Sequence, residues 1–286
     1  MNHQYDCLVI GAGLAGSVAA RELAERGGKR VLVLERRNHV GGNAYDCFDE
    51  AGVLIHQYGH IFHTNSTRVF DYLSRFTRWR PYEHQVVANL PDGDGRLEYP
   101  VPFNLVSLRA AFPPEKARAL AEKLVSAYGM EKKVTILELR QNPDPELSAL
   151  ADYVYGHVFV RYTMKQWGQT PEEIDPNTTA RVPVFLSEDC RYFQDAYQGM
   201  PLEGYTPMFQ SLLDHPDITV ELGVDAASRL TLDGSAALLD GRPFSGPIIY
   251  TGAADELFGC KYGRLPYRTL DFRFETHPVD FWQSHG

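Results

Sequence analysis

Tyr5-Asp6-Cys7-Leu8-Val9-Ile10-Gly11-Ala12-Gly13-Leu14-Ala15-Gly16 is the stretch on which the fold turns. Its first half is a short apolar run, suited to a strand buried on both faces of a parallel sheet. The run ends directly on glycines spaced G-x-G-x-x-G. Leu14 to Arg26 then reads as a helix, with Val18, Ala19, Leu23 and Ala24 apolar and Arg21, Glu22, Glu25 and Arg26 polar, and Gly27-Gly28 stops it. Arg30-Val31-Leu32-Val33-Leu34-Glu35 is a second buried strand, which completes a βαβ unit.

Glycine triplets also occur in ordinary turns, so the context carries the weight. Gly11 permits the tight turn, Gly13 lets backbone approach a pyrophosphate, and Gly16 lets helix and strand pack closely. Ala12 and Leu14 sit inside the same turn, where the helix N-terminus offers unpaired N–H donors to phosphate. Glu35 ends the second strand, positioned to accept hydrogen bonds from ribose hydroxyls and to repel a 2′-phosphate. The alternative is a Rossmann-like unit without a cofactor. Arg36-Arg37-Asn38-His39-Val40-Gly41-Gly42-Asn43 follows at once. A second glycine pair so close can bring another backbone segment to the same pyrophosphate, and Arg36 can cover the adenine. This points to FAD rather than NAD, with Gly42 and Asn43 among the contacts.

A chain of 286 residues with a formal net charge of −9 lacks the basic surface that nucleic-acid binding needs. Cys7, Cys47, Cys190 and Cys260 form no CxxC pair or metal-ligand spacing, and read as buried or neutral thiols of a reducing cytosol. No signal peptide precedes the first strand and no apolar run could span a bilayer, so a cytoplasmic protein without membrane insertion is expected.

Beyond residue 35, helices are expected over 66–76, 114–128 and 206–213, hairpins over 85–99 and around 233–241, and strands over 218–222 and 247–251. Residues 171–183 are polar, contain three prolines, and read as an exposed loop. The fold class is α/β: a Rossmann-like FAD-binding βαβ domain with an inserted helical lobe and a mixed/antiparallel sheet domain. The expected divisions are 1–104 for FAD binding, 105–180 for the helical substrate lobe, and 181–286 for the sheet domain and return.

Gly42-Asn43-Ala44, Tyr58-Gly59-His60-Ile61-Phe62-His63-Thr64-Asn65, Tyr162-Thr163-Met164-Lys165-Gln166-Trp167-Gly168 and Arg181-Val182-Pro183 occur in that order. Tyr192-Phe193, Tyr197-Gln198-Gly199-Met200-Pro201, Tyr250-Thr251-Gly252 and Tyr267-Arg268-Thr269-Leu270-Asp271-Phe272 follow them. In these blocks the chain resembles the UDP-galactopyranose mutases, FAD-dependent enzymes of bacterial type. The resemblance implies an isomerase that interconverts UDP-galactopyranose and UDP-galactofuranose. On the same resemblance, reduced FAD would serve as the nucleophile toward the anomeric carbon, with UDP as leaving group. It implies Arg181 as the loop arginine on the diphosphate and His60 at the flavin edge as catalytic residues, with His63 beside it as a cofactor contact. Tyr162, Thr163 and Trp167 match the uridine side, and Tyr192 and Phe193 the diphosphate side. Val224 and Gly252 resemble backbone contacts to the flavin nucleotide, and His84 a polar residue near the sugar. Val158 stands where bacterial members commonly place a uracil-stacking Phe, with Phe159 as the neighbouring substitute; the Gly59-His60 junction is one residue shorter, and Ala253 replaces a proline. A homodimer is the expected assembly. Family members run further, through a second diphosphate arginine, a tyrosine pair and a Gly-Arg-Leu-Ala block over the flavin. The sequence is either a fragment or a truncated product; if it is complete as it stands, weak FAD retention and little or no turnover are expected. The competing readings are an FAD-dependent oxidoreductase of the amine-oxidase or desaturase type and a non-catalytic UDP-sugar- or FAD-binding fragment.

Overall fold

The computed structural model describes residues 4–92, 95–160, 183–234, 236–267 and 269–283, and the chain divides into two compact units. The first comprises residues 1–82 and 195–276. At its centre is a four-stranded parallel sheet in the order Ile218–Leu222, Val31–Glu35, Cys7–Ile10, Ile248–Tyr250. The expected βαβ unit is there: Cys7–Ile10 pairs Val31–Glu35 with Leu8 opposite Leu32, and Leu14–Glu25 is the helix between them.

Alternation along the strands sends their side chains into two different layers. Cys7, Val9, Val31 and Val33 face a cluster with Ala20 and Ala24 of the first helix and with Met208, Phe209 and Leu212 of the helix Tyr205–Leu213. Leu8, Ile10, Leu32 and Leu34 face the opposite way, onto Leu239 and Phe244. Those two belong to a small antiparallel sheet of Leu230–Asp233, Ala236–Leu239 and Arg242–Pro243 and to its exit. Strands buried on both faces explain why the first two read as unbroken apolar runs. A second antiparallel sheet orders Phe62–Thr64, Tyr197–Pro201 and Trp79–Pro81.

The second unit comprises residues 83–194 and 277–286. It holds the hairpin Val86–Asp92 with Gly95–Val101, and the helices Leu105–Ala111, Pro114–Tyr128, Ile136–Arg140 and Pro145–Val154. Tyr99, Val101, Phe103, Leu108, Leu124, Leu139, Leu147 and Leu150 form one buried cluster. This shared core corrects the boundary expected at residue 104. The hairpin's apolar face packs on the helices, so residues 83–104 belong with the helical unit, and residues 183–194 do too. All four cysteines are free thiols; Cys7 is buried and Cys47, Cys190 and Cys260 are partly exposed. Among the described residues no helix is long and apolar enough to cross a membrane.

Candidate cofactor site

The glycine turn is closed by contacts from three directions. Gly11 adopts φ +100°, and a Cβ there would lie 2.3 Å from Thr251 Oγ1. That hydroxyl and the Thr251 N–H both donate to the Ile10 carbonyl, at 2.8 and 3.0 Å. A Cβ on Gly16 would sit 1.8 Å from the Gly11 carbonyl oxygen, so Gly16 is a packing glycine. The expected approach of the second glycine pair is present: Gly42, at φ +57°, has its Cβ position 3.0 Å from the Gly13 Cα. The Gly41 N–H donates to the Ala12 carbonyl at 2.9 Å, which holds the two segments together.

Gly13 differs from these. Its backbone is extended (φ −75°, ψ −173°), and the nearest atom to a Cβ there is the Gly42 Cα at 3.8 Å, an ordinary contact. Among the described residues no protein atom requires glycine at this position. A phosphate lying against this half-buried backbone would require it, so the turn is compatible with a dinucleotide.

Gly11, Gly13, Gly42 and Asn43 line one cavity of about 690 Å³, together with Glu35, Arg36, Val224 and Gly252. Eight residues assigned to the cofactor from sequence thus converge on one space. Glu35 is buried, and its carboxylate is engaged by backbone: the Ala12 N–H donates to Oε2 at 2.7 Å and the Arg37 N–H to Oε1 at 2.9 Å. It thereby ties the glycine turn to the end of its own strand while still facing the cavity. Arg37 donates to Asn43 Oδ1 at 3.0 Å. The Val224 N–H donates to the Glu35 carbonyl at 2.9 Å. Ala12 is fully buried, Leu14 is exposed at the helix start, and neither they nor Gly16 line the cavity.

Several lining residues had no signal in the sequence. Ala226, Leu230, Leu232 and Leu257 provide an apolar wall. Tyr250, already part of the Tyr250-Thr251-Gly252 block, lies beside them; burial raises its phenol above the ordinary value, with Glu256 adding to this. Only the topology of the sheet brings these residues to the end of the first strand.

His60 and His63 lie outside the cavity lining. His60 is exposed at one side, yet the groups shielding it from water hold its imidazole below the ordinary value, and His56 adds to this. His63, on the strand Phe62–Thr64, bonds Asp195 Oδ2 through Nδ1 at 2.9 Å. In the second unit, the rings of His84, Tyr192 and Phe193 come together. The Tyr192 N–H donates to the His84 carbonyl at 2.8 Å, and ring centroids of His84 lie 6.0 Å from Tyr192 and 6.4 Å from Phe193. Burial lowers the His84 pKa, which favours a neutral imidazole at this site. Val158 is buried in the helical core. Tyr162, Thr163, Trp167 and Arg181 lie outside the described residues, as does the side chain of Phe159. Among the described residues no cluster of His, Cys, Asp and Glu could hold a metal.

The sequence model for NAD(P)-binding Rossmann-like domains matches residues 9–76, and that for UDP-galactopyranose mutase matches residues 157–286. A UDP-galactopyranose mutase of Mycoplasma pneumoniae is 36% identical over 286 residues, pairing 99% of this chain with 70% of that protein. The chain belongs to the UDP-galactopyranose mutase family. A dTDP-fucopyranose mutase of Escherichia coli is also 36% identical, over 277 residues, pairing 96% of this chain with 70% of its own. A crystal structure of reduced UDP-galactopyranose mutase shares the fold at a TM-score of 0.52 and 17% identity, over 90% of this chain. This chain spans 57% of that one. The mutase-family match takes in Tyr192, Phe193, Val224 and Gly252, so residues of both compact units fall within it.

Proposed function

We propose that this chain interconverts UDP-galactopyranose and UDP-galactofuranose with FAD as cofactor. The observation that carries the reading is its 36% identity, over 99% of its length, to a protein named for that sugar nucleotide. The open backbone at Gly13 supports the cofactor part, because it leaves room for a diphosphate where no protein atom demands it. Gly11, Gly13 and Gly42 would hold the diphosphate of FAD, Glu35 its ribose, and Arg36, Asn43, Val224 and Gly252 the surrounding nucleotide. When bound and reduced, FAD supplies a nucleophile for the anomeric carbon.

The remaining work falls to side chains of this chain. Tyr162, Thr163, Trp167 and Phe159 hold the uridine, and Tyr192, Phe193 and His84 contact the diphosphate and sugar. Arg181 neutralises charge on UDP as it departs; a planar guanidinium suits that task, and closing it over the diphosphate would exclude water. His60 and His63 orient the flavin edge. The protein is taken to work as a cytoplasmic homodimer, an assembly that sedimentation will check.

The deciding experiment incubates dithionite-reduced, FAD-loaded protein with UDP-galactofuranose and separates the products by anion exchange. Conversion to UDP-galactopyranose is expected, and a flavin-loaded protein that leaves the substrate untouched ends the proposal. Arg181→Ala should lower kcat by roughly 10²–10³, the range found when a charge-stabilising donor is removed. A second sugar nucleotide has a specific claim, because the dTDP-fucopyranose mutase is equally similar. Running dTDP-fucofuranose in parallel separates the two, and the larger kcat/KM names the substrate.

A further inference from the structure

The cavity contains an ion pair that the phosphate turn does not explain. Arg36 follows the strand Val31–Glu35, and Glu256 lies on the short helix Ala254–Leu257 beyond the strand Ile248–Tyr250. These two strands flank Cys7–Ile10 on either side. Their following residues nonetheless meet, Arg36 Nη1 to Glu256 Oε2 at 3.2 Å, so the pair reaches across the end of the central strand where the glycine turn begins. Both residues line the cavity.

The chemistry of the lining gives this pair a purpose. Two arginines directly after the ribose-binding acid are what a 2′-phosphorylated ribose would use, since a nearby guanidinium is the usual receptor for that phosphate. Here neither is presented bare. Arg37 donates to Asn43 Oδ1 at 3.0 Å, and Arg36 is held by Glu256. The described lining carries three carboxylates (Glu35, Asp225 and Glu256) against these two guanidinium groups. Glu35 faces the same cavity while accepting the Ala12 and Arg37 N–H groups, and its charge opposes a 2′-phosphate without engaging either guanidinium group.

We propose that Glu256 is a specificity-determining residue of the nucleotide cavity: by engaging Arg36 it denies a 2′-phosphate its receptor and restricts the site to unphosphorylated adenosine diphosphate moieties. The inference rests on the nucleotide reading of the cavity given above. It assigns Arg36 a second state, available once Glu256 loses its charge.

The test measures binding of 5′-ADP and of 2′-phosphoadenosine 5′-diphosphate, which differ only in the 2′-phosphate, to the flavin-free full chain by calorimetry. It compares the wild type with Glu256→Gln, Glu256→Ala and the Arg36→Ala/Glu256→Ala double variant. The wild type should prefer 5′-ADP by at least about tenfold, and each single variant should gain about five- to tenfold for the 2′-phosphorylated ligand with 5′-ADP changed less than about twofold, the size expected of one charge-assisted contact. Adding Arg36→Ala should abolish the gain. An unchanged preference in both single variants overturns the inference, as does a gain that survives loss of Arg36. A wild type that binds neither 5′-ADP nor FAD overturns the nucleotide reading itself, which is a different outcome from a bound 5′-ADP with no variant effect.

Discussion

Gly13 and Gly16 separate what the protein needs from what a ligand needs, although both belong to one motif. A methyl on Gly16 has nowhere to go, being 1.8 Å from a backbone oxygen, whereas one on Gly13 meets only an ordinary contact at 3.8 Å. Gly16→Ala is therefore expected to destabilise the fold by about 2–4 kcal/mol in urea titrations, as overpacking against backbone does. Gly13→Ala should leave the urea midpoint almost unchanged while reducing FAD affinity by about tenfold or more, one lost close approach to the diphosphate. Equal effects on stability would show that Gly13 is structural. Glu35→Ala makes the complementary case. It strips acceptors from the Ala12 and Arg37 N–H groups, and should cost about 1–3 kcal/mol of stability even in flavin-free protein. The motif's spacing was legible at this scale because its reasons are local. Glu256 was not, because its partner stands 220 positions away.

The helix Tyr205–Leu213 shows the same limit one level up. Its sequence marks a helix, and the apolar positions Met208, Phe209 and Leu212 mark its buried face. Its cap is not in the local sequence. Gly204 offers no side chain, and the carboxylate of Asp46 serves instead, accepting the Tyr205 and Thr206 N–H groups at 2.5 and 2.8 Å. The Thr206 hydroxyl returns a bond to the Asp46 carbonyl at 2.8 Å. Phe209 in turn contacts the Cβ position of Gly41 at 3.1 Å, so the cap bears on the second glycine segment. Burial alone would raise the Asp46 pKa, but the His56 imidazole 3.5 Å away and the hydrogen bonds from Thr206 and Tyr205 outweigh it and hold the carboxyl below the usual range. A depressed folded pKa contributes stability above the unfolded value, near pH 4, and that stability is lost as the pH falls through the folded value. Urea stability should therefore decline with acid from about pH 4 downward, and Asp46→Asn should flatten this part of the profile. At pH 7, Asp46→Ala should cost about 2–3 kcal/mol, combining a lost cap with unpaired amides. An acid limb equally steep in Asp46→Asn would assign the decline to other carboxylates.

At the scale of the whole chain, the α/β class and the order of elements were legible because each strand and helix carries its own periodicity. Membership of the compact units was not. The hairpin of residues 86–101 adjoins the nucleotide region in sequence, but Tyr99 and Val101 are buried with Leu108, Leu124 and Leu139 of the helices. All described residues lining the cavity lie in the first unit. Leu139→Ala, in the core of the second unit, should thus lower stability by about 2–5 kcal/mol while FAD affinity changes less than about twofold. A large loss of flavin from that variant, measured on folded protein, would show that the units do not bind independently. The cavity's span also bears on how the protein is made. Its walls run from Ile10 to Leu257, and the turn at Gly11 is closed by the hydroxyl of Thr251. At elongation rates of about 5–20 residues per second, roughly 12–50 s separate synthesis of Gly11 from that of Leu257. Throughout that interval the ribosome carries a nascent chain with the fingerprint but without the far wall, so nucleotide cannot template early folding. A flavin could then be captured only after Leu257 has been made.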